Sequence, residues 1–219
     1  MSKKLEQKQQ RRAAEEARQA ELKSVARRRN LITFGVIGVV VALVLLLILG
    51  ERDKATGPVG VAAAEAGCTD VERPAVAERA NHVEEGTRVD YETNPPTSGD
   101  HWQQPADARF YPPESAGDPP PERAVHNLEH GQIVIWYNPD APSGVVDDIE
   151  GYIDRQPGNQ VLALLAVPLP GLEGGNLAVG AWGAFQTCDE VSQDVLDEFR
   201  ATFQARGPEN VGVPAFSPE

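Results

Sequence analysis

The chain has 219 residues, 41% of them hydrophobic, a net charge of −13 and two cysteines, which is room for one domain of ordinary size plus appendages. Ten of the 20 Lys/Arg but only four of the 33 Asp/Glu fall in residues 1–30, so that segment carries +6 and residues 31–219 carry −19. An acidic field of that size repels nucleic acid and anionic lipid head groups and draws in cations, which argues against a nucleic-acid partner.

Residues 3–30 are rich in Lys, Arg, Glu, Gln and Ala, good helix formers with few apolar positions to form a packed face. Residues 1–30 read as a basic, solvated cytoplasmic tail. Residues 31–50, LITFGVIGVVVALVLLLILG, contain no charge. At about 1.5 Å per helical residue this run matches a hydrocarbon core of about 30 Å, the length of a single transmembrane helix. Arg27, Arg28 and Arg29 abut it, and the Lys/Arg excess keeps that side in the cytoplasm. The expected localisation is therefore the cell membrane, with a single pass through the lipid bilayer and the C-terminal domain extracytoplasmic. The long polar region before the run and the lack of a small-residue cleavage pattern after it favour an anchor over a cleaved signal peptide.

Residues 51–66, small and poorly patterned, read as a linker. Globular composition starts near Cys68, and residues 67–207 form the expected extracytoplasmic domain. Cys68 and Cys188 both lie beyond the apolar run, in a compartment that permits oxidation, and are expected to form a disulfide. Closing so long a loop contributes about 4–5 kcal/mol in the chain-entropy model, less any strain.

Within the domain, the segment GTRVDYET (residues 86–93) alternates Val89 and Tyr91 with polar neighbours and predicts a strand. Residues 92–124 then hold eight of the 18 prolines, which exclude helix interiors and central strands. Trp102, Phe110 and Tyr111 would pin this long connection to the domain surface. Gln132 to Tyr137 has the apolar, β-branched profile of a buried strand. Ser143 is placed to cap a helix in which Val145, Val146, Ile149, Tyr152 and Ile153 recur at helical spacing, with Pro157 and Gly158 stopping it. Val161–Val167 predicts the next strand and Leu177–Phe185 a third, with Gly180 and Gly183 inside it. Val191, Val195, Leu196, Phe199 and Phe203 mark an amphipathic helix closed by Gly207. Residues 208–219 read as a flexible tail. Strand, helix, strand, strand, helix is an α+β domain: a small sheet with two helices packed on one side. A split βαβ arrangement and a thioredoxin-like half both fit that order, although no Cys-x-x-Cys motif is present.

Four histidines occur in the chain, all within residues 82–130: His82, His101, His126 and His130. His126 and His130 are four apart, so on a helix both imidazoles share one face, with Glu129 about 60° away on the other side of His126. The letters H-x-x-E-H match the inverted zincin motif. Gly131 follows at once and a strand begins, leaving about one helical turn, so a protease helix is not expected. His101 lies in the turn-rich NPPTSGDHW segment that can aim it inward, and His82 precedes the first expected strand. The candidate ligand set is His126 and His130, then His101, with Glu129 or His82 as fourth or outer partner. Imidazole with carboxylate suits a divalent ion such as zinc or copper(II). No recognisable separate base or cofactor motif is present, so catalytic residues are not assigned. Three readings stay open: a metal-binding module, a metal-dependent hydrolase or oxidoreductase, and a structural or partner-binding envelope protein whose histidines are merely hydrogen-bonded.

One N-terminal apolar run together with NPPTSGDHW, AVHNLEHGQIVIWY and LAVGAWG resembles the bacterial membrane-anchored family known as domain of unknown function 3105. The resemblance covers roughly residues 68–206, with His126–Gly131 its most specific part. Two positions depart from the family pattern, Asp100 where Pro is common and Ala184 where a basic residue is common, and neither is a candidate ligand. The resemblance implies an exported, membrane-tethered domain and no particular activity.

Overall fold

A computed structural model describes residues 35, 38–43, 57–76, 80–209 and 211–218. The chain divides into two units, Met1–Gly57 and Pro58–Glu219. In the first, residue 35 and residues 38–43 are helical and exposed. No helix among the described residues is long and apolar enough to cross a membrane. The tail 1–30, and the span expected over 31–50 apart from these seven residues, lie outside the described residues.

The second unit is built on a four-stranded sheet. Its strands are β3 (Ile133–Tyr137), β4 (Leu164–Pro168), β5 (Leu177–Ala181) and β6 (Ala184–Cys188), in the order β4-β3-β5-β6. Two further short strands, β1 (His82–Val83) and β2 (His101–Trp102), form a separate parallel pair. The helices are α1 (Pro121–Glu129), α2 (Ser143–Asp154) and α3 (Gln193–Phe203). β3 runs parallel to β4, while β3 with β5 and β5 with β6 are antiparallel. Because β3 and β4 are direct neighbours, the split βαβ arrangement is excluded, and of the two alternatives the thioredoxin-like one remains. The domain is α+β, as the element order implied.

Side-chain alternation sorts the two faces of the sheet. Ile133, Ile135 and Tyr137 of β3 point to a core with Val145, Ile149, Tyr152 and Ile153 of α2 and Leu196 and Phe199 of α3. Val134 and Trp136 point the other way, to a core with Ala124 and Leu128 of α1. Every residue of β3, β4 and β5 is buried, as expected of strands covered on both faces. Cys68 and Cys188 are joined, which ties the start of the domain to the end of β6.

Several boundaries differ from the sequence expectations, each for a local reason. GTRVDYET is not a strand: the Val89 N–H donates to Glu122 Oε1 at 3.0 Å and the Tyr91 hydroxyl to the Asp100 carbonyl at 3.0 Å. The Val89 donor is satisfied by a side chain instead of a ladder. The expected third strand is a hairpin, β5 and β6, turned at Trp182–Gly183, where Gly183 has φ +69°. Ser143 is the first residue of α2 and makes no capping bond. A 3-10 stretch, Gly158–Ala163, occupies the start of the expected Val161 strand. The supposed linker is partly domain: Val59 is buried in the core and the Val61 N–H donates to the Val191 carbonyl at 2.8 Å. The tail beyond residue 207 is also held, since Gln204 Nε2 donates to the Pro214 carbonyl at 2.7 Å and Arg200 lies over the Phe216 ring.

The largest correction concerns α1. It runs for nine residues, Pro121–Glu129, where about one turn was expected. Pro121 stands at its first position, where the missing N–H would have had no helical partner and the fixed φ suits the helix. A proline cluster that reads as a helix exclusion is the helix start.

Candidate metal centre

At about 100° per residue, Ala124 and Leu128 fall on one side of α1 and His126, Glu129 and His130 on the other. The apolar side is consumed by the sheet. The polar side faces β1 and β2, whose parallel register sets His82 directly opposite His101. Asn127 fastens the loop in between, accepting from the Ala106 N–H and donating to the Ala106 carbonyl, both at 2.9 Å.

The result is a triangle of imidazoles. Ring centres lie 4.9 Å apart for His82 and His101, 4.8 Å for His82 and His126, and 4.9 Å for His101 and His126. Glu129 completes it, with its Oε2 2.9 Å from His101 Nε2 and 3.6 Å from His82 Nε2. One donor atom from each of His82, His101, His126 and Glu129 lies within 4.8 Å of all the others. A tetrahedron with bonds of about 2.0–2.1 Å has edges of about 3.3 Å, and the two short distances straddle that value.

The far sides of two rings are already committed. His101 Nδ1 lies 2.9 Å from the Gly99 carbonyl and His126 Nδ1 2.7 Å from the Trp102 carbonyl. A carbonyl accepts only from N–H, so both rings carry a proton on Nδ1 and turn Nε2 inward; the His101 Nε2 contact with Glu129 Oε2 holds a further proton between them, which a metal ion would displace. The bond to the carbonyl is the outer hydrogen bond that fixes tautomer and orientation in metal-binding histidines. Burial, then the neighbouring His130, His101 and His82, push the His126 imidazole down to about 4, against the opposite pull of the Trp102 carbonyl. At neutral pH His126 is uncharged, with a lone pair on Nε2.

His101, His126 and Glu129 are buried, and the His82 side chain is 41% exposed. The Trp182 ring stands edge-on to His101 with centres 6.2 Å apart. A cavity of about 740 Å³ lies elsewhere, lined by residues such as Thr69, Arg73, Asn94 and Thr187 and by none of the histidines.

Compared with the ligand order expected from sequence, His82 joins the main group and His130 does not. His130 Nε2 sits 3.0 Å from His126 Nε2, at the edge of that group. It falls in a second set with Glu129 and Glu209, whose donor atoms also lie within 4.8 Å of one another. Glu209 had no signal in the sequence, being one acidic residue in a stretch read as a loose tail. Arg200 was missed for a similar reason. A lone Arg on an amphipathic helix reads as solvated, yet it is buried among Tyr152, Gln156, Gln160 and Gln204.

No curated protein and no solved structure matches the chain. A family profile described as Protein of unknown function (DUF3105) matches residues 82–214, more than half of the chain and a span that holds all four histidines and Glu209. The chain belongs to that family.

Proposed function

We propose that the protein is a single-pass membrane protein whose extracytoplasmic domain binds a divalent metal ion through His82, His101, His126 and Glu129. One observation carries the metal reading: three imidazoles and a carboxylate from three separate elements converge within 4.8 Å. Hydrogen-bonded structural histidines need no such convergence on one another, because each can be satisfied by its own nearest backbone. The inward Nε2 atoms of His101 and His126, fixed by carbonyls on their other side, support the same reading. Three nitrogens and one oxygen favour zinc or copper(II) over magnesium or calcium.

Anchoring in the lipid bilayer rests on the uncharged run 31–50 and on Arg27–Arg29, which keep residues 1–30 in the cytoplasm. The Cys68–Cys188 disulfide suits an oxidising, extracytoplasmic compartment.

A second reading is a metal-dependent hydrolase or oxidoreductase. The exposure of His82 favours it, since a ligand at the surface can give way to water or substrate and open a coordination position.

Metal analysis of the purified full-length chain, set beside a His101→Ala/His126→Ala variant, tests the proposal. Stoichiometric metal in the wild type and its loss from a variant with an unchanged circular dichroism spectrum is the expected result. Equal, substoichiometric content in both would leave the structural, partner-binding alternative.

A further inference from the structure

We infer that the centre is binuclear: a second divalent ion is held by His130, Glu209 and Glu129, with Glu129 serving both ions. The inference rests on the metal reading above and extends it to residues outside the main ligand group.

Glu129 belongs to both donor sets, and each set is compact to within 4.8 Å. A carboxylate has two oxygens, so Glu129 can bind one ion through each, the usual way for neighbouring divalent ions to share a ligand and lessen their repulsion. The second set is more acidic than the first, one imidazole with two carboxylates. The added negative charge of Glu209 offsets the approach of a second cation.

Glu209 is brought to the site by a built contact. The chain leaving α3 crosses the end of α1 so closely that a Cβ on Gly207 would lie 2.1 Å from the Glu129 carbonyl oxygen and 2.3 Å from Gly131 N. On the other side of the crossing, a Cβ on Gly131 would lie 2.9 Å from Gly207 N, and Gly131 has φ +85°. Only glycine at both positions permits this approach. The Ala205 N–H donates to the Gly131 carbonyl at 2.8 Å, and the Glu209 N–H donates to the Glu129 carbonyl at 3.0 Å. These bonds set the Glu209 carboxylate 3.8 Å from His130 Nε2.

The hydrogen bond between His126 and His130 links the sites. His126 Nδ1 is the donor to Trp102, so its Nε2 is the acceptor and His130 Nε2 the donor in their 3.0 Å contact. An ion at the first site takes the His126 lone pair and leaves the His130 N–H without that acceptor. His130 then moves its proton from Nε2 to Nδ1 through solvent, staying neutral, and turns the freed Nε2 lone pair to the second ion. Loading is ordered, with the buried three-histidine site first and the more exposed site second.

Zinc titration of the full-length chain, with bound metal counted after gel filtration, tests this directly. Two equivalents are expected in the wild type and one in both Glu209→Gln and His130→Ala. Glu209 is 54% exposed, so its substitution leaves folding intact. With cobalt(II) as the probe, magnetic coupling between two ions in the wild type should vanish in Glu209→Gln. A single equivalent in the wild type, unchanged by either substitution, would overturn the binuclear centre while leaving the mononuclear site in place. No bound zinc in the wild type would sink both.

Discussion

The two faces of the central sheet are built by different means. On the face of Ile133 and Ile135, two amphipathic helices lay down a continuous apolar core, and a buried cation there, Arg200, is satisfied by neutral side chains. On the face of Val134 and Trp136, only the inner side of α1 is apolar. Its outer side meets the short strands β1 and β2 and irregular chain, held by hydrogen bonds of Asn127 with Ala106, Glu122 with Val89 and Trp102 with Thr87. Non-directional apolar burial stabilises the first face, and directional bonds position side chains on the second. Stability and the candidate site are therefore separable to a useful degree, and substitutions on each face should show it.

The largest effect should come from the covalent tie. Replacing Cys68 and Cys188 by serine frees a loop with a sequence separation of 120 and should cost about 4–5 kcal/mol in chemical denaturation. Next comes the helical face: Ile149→Ala, at a fully buried position, should cost about 2–5 kcal/mol while the folded fraction keeps its metal stoichiometry. Loss of metal in step with stability would show that the two faces are not independent. Gly207→Ala should cost about 1–3 kcal/mol by forcing the crossing apart, and should lower zinc content at the Glu209 site before the three-histidine site.

A smaller effect is expected from His126. Its folded-state pKa of about 4 lies below the ordinary value near 6.5, so the unfolded chain takes up the proton first as pH falls. The contribution is fully present above about 6.5 and is lost as pH drops toward 4. Thermal melts of chelator-treated protein should therefore show a midpoint that rises between those pH values, with a shallower rise in His126→Gln. An equal slope in the variant would assign the pH dependence to other groups.

Legibility from sequence obeyed the same division. Val145, Ile149, Tyr152 and Ile153, or Leu196 and Phe199, announce their helices because a 3.6-residue period is a local property. The β5–β6 hairpin was harder, since LAVGAWGAF is apolar throughout and only the φ of Gly183 marks the turn. Pro119–Pro121 misled because proline is both a helix breaker and a good first residue, and the residues C-terminal to it decide between the two roles. On the site face, the spacing of His126 and His130 suggested a shared ligand pair, yet the structure assigns them to adjacent donor sets. Spacing fixes a common helix face, and the partners that meet that face come from elsewhere in the chain.

The sequence by itself determined the α+β class, the apolar run, the cysteine pair and the clustering of every histidine within residues 82–130, since composition and local period carry these. Only the tertiary structure decided that His82 lies in register with His101, that Glu129 stands between two donor sets and that Glu209 reaches His130. Those facts depend on a parallel pairing across nineteen positions and a glycine-on-glycine crossing between Gly131 and Gly207. Contacts so distant along the chain leave no periodic trace in it.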